Sequence, residues 1–218
     1  MRVCILGSGL SALTLAKAMV NQNVYVDNFA SKKKQLLNFS RTLGISKSNI
    51  DYFNNDIINI EKICWRINKI EILTENFKGG KVLNFESDKN QLFSVVKNFK
   101  IYQALEKSLQ KSKNFKKIYT KSYSNLPDKY DLVINTDQLN FITKKYFSKK
   151  ILKDYYSYAF TSTISHKKIA NHTATQIFTK YGPLAFLPIS DDQTSLVFSI
   201  KKYKDISNKY FTKLIKKY

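Results

Sequence analysis

The sequence predicts an α/β protein in which a βαβ lobe is interleaved with an antiparallel β-sheet lobe. Three observations carry this expectation. The first 27 residues hold a strand, a glycine turn, a helix and a strand in that order. Two strand-like segments at 69–74 and 81–85 flank Lys78-Gly79-Gly80, a hairpin signal. Four aromatic and β-branched segments then follow residue 155, separated by turn residues.

Arg2 to Leu6 is an apolar run of strand length. Gly7-Ser8-Gly9-Leu10-Ser11-Ala12 fits G-x-G-x-x-G/A, and Ala12, Leu13, Ala16 and Met19 recur at helical spacing. Val24-Tyr25-Val26-Asp27 is a second short strand ending in a carboxylate, 20 residues after Gly7. Each residue type has a task in binding a dinucleotide. Gly7 permits the tight turn, and Gly9, without a Cβ, lets a pyrophosphate approach the backbone. Ala12 allows close helix–strand packing. The N–H groups near Leu10 and Ser11, at the positive end of the helix dipole, face the phosphates. Asp27 is expected to accept hydrogen bonds from a ribose. This Rossmann-like fingerprint does not by itself separate FAD from NAD(P).

A secretory signal is the competing reading, with Arg2 ahead of an apolar stretch and Ala16-Lys17-Ala18 resembling a cleavage site. The Gly-Ser-Gly interruption, Lys17 inside the cleavage motif and the continuation into Val24–Asp27 all oppose it.

Further along, a lysine-rich loop (31–35) precedes Arg41-Thr42-Leu43-Gly44-Ile45-Ser46, and Ser48 to Phe53 reads as a helical stretch. Residues 99–112 form a helix with Ile101, Leu105 and Leu109 on one face. Lys116–Thr120 is a strand, and Asp131–Asn135 is another, short and buried. Residues 155–165, 172–179, 184–189 and 194–200 make an antiparallel meander, with turns at Tyr181-Gly182-Pro183 and Ser190-Asp191-Asp192. Ile206 to Lys217 is a lysine-rich amphipathic helix. The expected organisation has one lobe from 1–68 and 96–150, a sheet lobe from 69–95 and 151–203, and a terminal helix in 204–218.

Composition narrows the function. With 43% hydrophobic residues in 218, wholesale disorder is excluded. No run reaches the roughly 18 apolar residues that span a bilayer. Cys4 and Cys64 offer neither a disulfide framework nor metal spacing, which points to a reducing, cytoplasmic compartment and no metal. His166 and His172 lie in or beside strand patterns without a catalytic partner.

The formal charge of +21 raises nucleic acid or an anionic membrane as partner. Only Arg2, Arg41 and Arg66 are arginine, however, and nucleic-acid readers favour arginine for bidentate contacts. Lysine is spread along the chain with Asn, Ile, Phe and Tyr, residues of AT-rich codons. No nucleic acid is therefore expected. A lysine-rich surface still suits docking on the inner face of an anionic membrane, or within a biosynthetic complex.

Five segments, in order, resemble the ubiquinone-biosynthesis flavin hydroxylases, FAD-dependent aromatic monooxygenases related to para-hydroxybenzoate hydroxylase. They are the 7–12 fingerprint with Asp27; Arg41 to Ser46; Val95-Val96-Lys97-Asn98 with the helix after it; Asp131-Leu132-Val133-Ile134-Asn135-Thr136-Asp137; and Gly182-Pro183-Leu184-Ala185-Phe186-Leu187-Pro188-Ile189. The resemblance implies FAD as cofactor, NAD(P)H as co-substrate and O2-dependent hydroxylation of a polyprenylated phenol or quinone precursor. It implies that Arg41 and Asp137 approach the cofactor and that Gly182, Pro183, Leu184 and Phe186 lie on the substrate side.

Departures accompany it. Gln138 stands for a family glycine and Phe99 for an arginine, and the stretch between Thr120 and Asp131 is short. The family's second FAD motif, G-D-A-A-H, has no counterpart before Tyr218. These departures leave open a piece of a longer hydroxylase, or an accessory relative that keeps the fold without turnover. An NAD(P)-binding reductase remains a further reading.

Overall fold

The computed structural model describes residues 1–31, 40–75, 80–87, 91–120, 130–147, 149, 151–201, 212 and 216. The expected lysine loop, the tip of the Gly79 hairpin and nearly all of the terminal helix lie outside the described residues.

β1 (Arg2–Leu6) runs through the glycine turn into α1 (Leu10–Asn21), which buries Ala12, Leu13, Ala16 and Val20. Asn23, at φ 59°, takes the left-handed conformation that asparagine tolerates and turns the chain into β2 (Tyr25–Ser31). β3 (Thr42–Ser46) leads into α2 (Lys47–Tyr52), N-capped by the Ser46 hydroxyl and prolonged by a π-helical turn over Phe53–Ile57. β4 (Trp65–Ile67), β5 (Lys69–Thr74), β6 (Lys81–Glu86) and β7 (Phe93–Lys97) follow. α3 (Asn98–Gln110) buries Ile101, Leu105 and Leu109, the face that its sequence spacing predicts. β8 (Phe115–Thr120), β9 (Leu132–Asn135) and α4 (Phe141–Tyr146) complete the first half. β10 (Ser157–Ser165), β11 (Thr173–Thr179), β12 (Gly182–Pro188) and β13 (Gln193–Lys201) complete the second.

Among the described residues the strands form three sheets. The first is parallel, in the order β8-β2-β1-β9. α1 and α3 pack on one of its faces, where Val3, Ile5 and Val26 join Leu13, Leu105 and Leu109 in the main core. Cys4, Leu6 and Phe29 form a smaller cluster on the other face with Tyr130 and Ile142. The second sheet, β10-β13-β12-β11-β5-β6, is antiparallel except where β11 runs parallel to β5. A third, small antiparallel sheet, β3-β7-β4, connects the other two.

Several expectations are revised here. The boundary placed at residue 95 falls inside β7, which pairs with β3 and β4 and not with the large sheet. The meander is confined to β11-β12-β13, because β10 pairs with β13 on its outer side. β9 is the outer strand of the parallel sheet, so Leu132 and Val133 are each 44% exposed where the sequence reads as buried.

Candidate functional site

The glycine turn ends β1. Gly7 adopts φ +122°, and a Cβ there would overlap the Thr136 hydroxyl oxygen, so position 7 requires glycine for both conformation and space. Its N–H donates to the Phe29 carbonyl at 2.9 Å. Gly9 differs. Its φ of −78° suits any residue, and among the described residues no atom beyond its chain neighbours and the helix's own backbone lies within 4 Å of where its Cβ would stand. The protein itself gives no reason for glycine at 9; the clear space in front of it does. No side chain caps the start of α1, which leaves its first N–H groups turned to that space.

Two residues hold the turn from behind. Asn28 is fully buried in β2; its Nδ2 donates to the carbonyls of Ile5 (3.1 Å) and Gly7 (2.8 Å), and its Oδ1 has no partner. The sequence reading passed over Asn28, although a lone amide inside an apolar strand is a signal in itself. Thr136 donates to the Leu6 carbonyl through its N–H (2.9 Å) and through its hydroxyl (2.8 Å).

Asp137 follows beside Gly7, as its place in the sequence motif suggests. Its Oδ1 accepts from Leu139 N–H at 2.9 Å, in a local turn ahead of α4. Gln138 is exposed in this turn. Among the described residues only Asn23 and Tyr156 are non-glycines with positive φ, so Gln138 stands there without strain.

Asp27 does not reach the turn. β2 continues to Ser31, and its register sets Asp27 opposite Cys4 while Phe29 is level with Leu6. The acid therefore stops about 6.6 Å short of the turn along the strand. It is 4% exposed, and its Oδ2 accepts from Arg2 Nη2 (2.8 Å), Arg2 Nε (3.2 Å) and the Tyr130 hydroxyl (2.7 Å). The expected ribose contact is corrected accordingly: beyond Phe29 the described end of β2 holds only Ala30 and Ser31. Burial and the Asp27 carboxylate push the Tyr130 hydroxyl well above its usual range. The same causes push the Cys4 thiol up to about 12, which leaves it a packing residue.

Asp27→Asn should lose about 1–3 kcal/mol of stability in urea unfolding, the worth of charge-assisted bonds to Arg2 and Tyr130. Flavin retention should be unchanged; lost retention at full stability would restore the ribose role.

Arg41 and the 97–99 segment, far apart in sequence, meet: Asn98 N–H donates to the Arg41 carbonyl at 3.0 Å. The Arg41 side chain is exposed and has no hydrogen-bond or ion-pair partner among the described residues. Asn98 Oδ1 is buried without a partner. A cleft of about 560 Å³ runs between α1, β3 and α2, from Leu10 and Ser11 past Thr14 and Gly44 to Tyr52 and Phe53.

Side chains of β3 and β7 meet β13 of the large sheet. Thr42 Oγ1 and Ser195 Oγ are 3.0 Å apart, and Lys97 Nζ donates to Gln193 Oε1 at 2.9 Å. Burial lowers the Lys97 pKa.

Strand alternation settles which face of the large sheet meets β3 and β7. Leu187 is level with Ser195 and Ala185 with Val197, so these four share that face. Leu184 and Phe186 point the other way, into a cluster with Leu196, Phe198 and Ile200. These two residues, expected on the substrate side, therefore face away from β3 and β7. Pro183 pairs with Phe178 at the start of β12. Gly182, at φ +142°, leaves no room for a Cβ against the Ser199 carbonyl, a structural reason for glycine.

His172 stacks on Trp65, with ring centroids 5.0 Å apart, and His166 Nε2 lies 3.0 Å from Thr194 Oγ1. Among the described residues no His, Cys, Asp and Glu side chains cluster to hold a metal, and no helix is long and apolar enough to cross a membrane.

No protein-family model and no curated protein sequence matches the chain. Solved structures match its fold. HpxO of Klebsiella pneumoniae in complex with FAD superimposes with a TM-score of 0.74 at 9% identity, over 95% of this chain and 59% of that one. For 2,6-dihydroxypyridine-3-hydroxylase of Arthrobacter nicotinovorans the TM-score is 0.70 at 13% identity, over 94% and 57%. For PqsL of Pseudomonas aeruginosa in complex with 2-aminobenzoylacetate it is 0.71 at 11%, over 92% and 61%. The chain therefore has the fold of FAD-dependent monooxygenases and spans about 60% of the length of these structures.

Proposed function

We propose that this chain is the nucleotide-binding and sheet portion of an FAD-dependent monooxygenase that hydroxylates an aromatic ring at the expense of NAD(P)H and O2. Its substrate is a polyprenylated phenol or quinone precursor of ubiquinone type. The observation that carries the reading is the clear space at Gly9 before the uncapped start of α1. A glycine that the backbone does not need, beside free helical N–H groups, suits a pyrophosphate.

When bound, the flavin would supply the redox chemistry, accepting hydride from NAD(P)H and activating O2. The chain's own residues bind and orient. Leu10 and Ser11 N–H groups hold the pyrophosphate, while Asn28 and Thr136 keep the turn in shape. Arg41 offers its guanidinium to the anionic part of the cofactor. The sheet face bearing Ala185, Leu187 and Val197 supplies an apolar wall that excludes water from the ring to be hydroxylated.

A second reading, an accessory relative without turnover, is favoured by one observation: the described end of β2 presents no carboxylate for a ribose. An absorbance spectrum after gel filtration with FAD separates the two. Flavin bands near roughly 370 and 450 nm that elute with the protein, and phenol-dependent NADPH oxidation, are the expected result. Retained flavin without oxidation supports the accessory relative. A folded, colourless protein removes the flavin reading, and nicotinamide binding without flavin points to a reductase.

A further inference from the structure

The connector that runs from the turn before α4, through that helix, to the start of β10 carries an unusual surface. Leu139, Phe141, Phe147, Ile151, Leu152 and Tyr155 are between 58% and 102% exposed. Scattered exposed apolar residues are ordinary; with Tyr146, seven between residues 139 and 155 are a concentration. Lys144, Lys145, Lys149 and Lys153 are exposed among them. Lys145 lies over the Tyr146 ring at 5.1 Å and Lys153 over the Tyr155 ring at 5.5 Å. The segment's one acid, Asp154, accepts from Tyr156 N–H at 2.7 Å.

We propose that this connector is a peripheral anchor for an anionic phospholipid surface, with its apolar tips at the headgroup boundary and its lysines against the lipid phosphates. Three features select this occupant. The most exposed members, Leu139, Ile151 and Leu152, are aliphatic; they enter an acyl boundary but do not stack on nucleic-acid bases. Lysines interrupt the patch throughout, whereas the buried centre of a protein–protein interface is depleted of charge. On β6, which exposes Val82, Leu83 and Phe85, the neighbouring Lys69 and Lys81 are tied to Glu86 and Glu71, which leaves less positive charge for an anionic surface. The anchor does not depend on the flavin assignment, since a colourless protein carries the same surface.

Co-sedimentation of the 218-residue protein with vesicles of phosphatidylcholine alone, or mixed with phosphatidylglycerol, is the test. Pelleting is expected only with the mixed vesicles and should weaken as salt rises. A lysine near an anionic surface is worth about fivefold in partition. Changing Lys144, Lys145, Lys149 and Lys153 together to Gln should therefore cut partition by about a hundredfold or more.

The control changes four exposed lysines elsewhere, Lys62, Lys107, Lys111 and Lys116, to Gln, and should retain most of the binding. Ile151→Ser with Leu152→Ser should abolish pelleting at full charge and unchanged circular dichroism. Equal loss in the control would reduce the effect to diffuse charge and overturn the anchor. So would no pelleting with either vesicle, undiminished pelleting by the serine variant, or binding of an RNA oligonucleotide in place of vesicles. A dimer that the serine variant dissociates, without vesicle binding, would reassign the patch to self-association.

Discussion

Gly9→Val should lose at least about a hundredfold in FAD affinity while keeping the fold. The two halves of this expectation come from one observation. Among the described residues a valine at 9 meets no atom beyond its chain neighbours and the helix's own backbone within 4 Å of its Cβ, and φ −78° admits it, so the core is untouched. The one intrinsic cost is at the N-cap, where valine is poorer than glycine by about 1 kcal/mol. Its branched side chain fills the clear space itself, holding a pyrophosphate away from the N–H groups that would bind it, and each tenfold loss is about 1.4 kcal/mol. Gly9→Ala should give an intermediate effect. FAD titration by fluorescence, paired with thermal unfolding, measures both. Unchanged affinity in the valine variant would remove the pyrophosphate from this turn.

Gly182→Ala should destabilise the protein by about 3 kcal/mol or more, through backbone strain and overlap together. Alanine rarely adopts φ +142°, and its Cβ would press on the Ser199 carbonyl of the neighbouring strand, a backbone atom that cannot swing aside. The turn around it is already tied by Thr179, whose hydroxyl donates to the Gly182 carbonyl at 2.8 Å. For a chain of this size the loss corresponds to a melting temperature lower by roughly 6–12 °C. Circular dichroism melting tests it. A change in substrate KM with an unmoved melting temperature would return Gly182 to the substrate side.

Local patterns were the legible part of this protein. Helical spacing located α1 and α3 because a packed face repeats along the helix itself, as Ile101, Leu105 and Leu109 show. The glycine turn was legible for the same reason, its conformational needs being set by neighbouring residues. Partners chosen across the fold were not legible. Asp27 has the right spacing from Gly7, but how far β2 continues, and in what register with β1, depends on pairing. Two further residues of strand moved the acid from the turn to Arg2 and Tyr130. The strand that carries Leu184 and Phe186 was legible but their facing was not, since a period of two fixes alternation but not which side meets the other lobe. Leu132 and Val133 look like core residues in sequence, and only the strand order makes them an edge. The Asn98–Arg41 and Thr42–Ser195 contacts join segments 57 and 153 positions apart and leave no local trace.

The parallel order β8-β2-β1-β9 has a consequence for synthesis. β1 is bonded to a strand made much later: Arg2 N–H donates to Asp131, 129 residues on, and Gly7 is backed by Thr136. At about 5–20 residues per second, a ribosome leaves Val3, Ile5 and Leu6 without β9 for on the order of ten seconds. During that interval the glycine turn has no wall, and β1 is an apolar segment open to chaperones. The parallel sheet thus closes late, only after β9 has emerged.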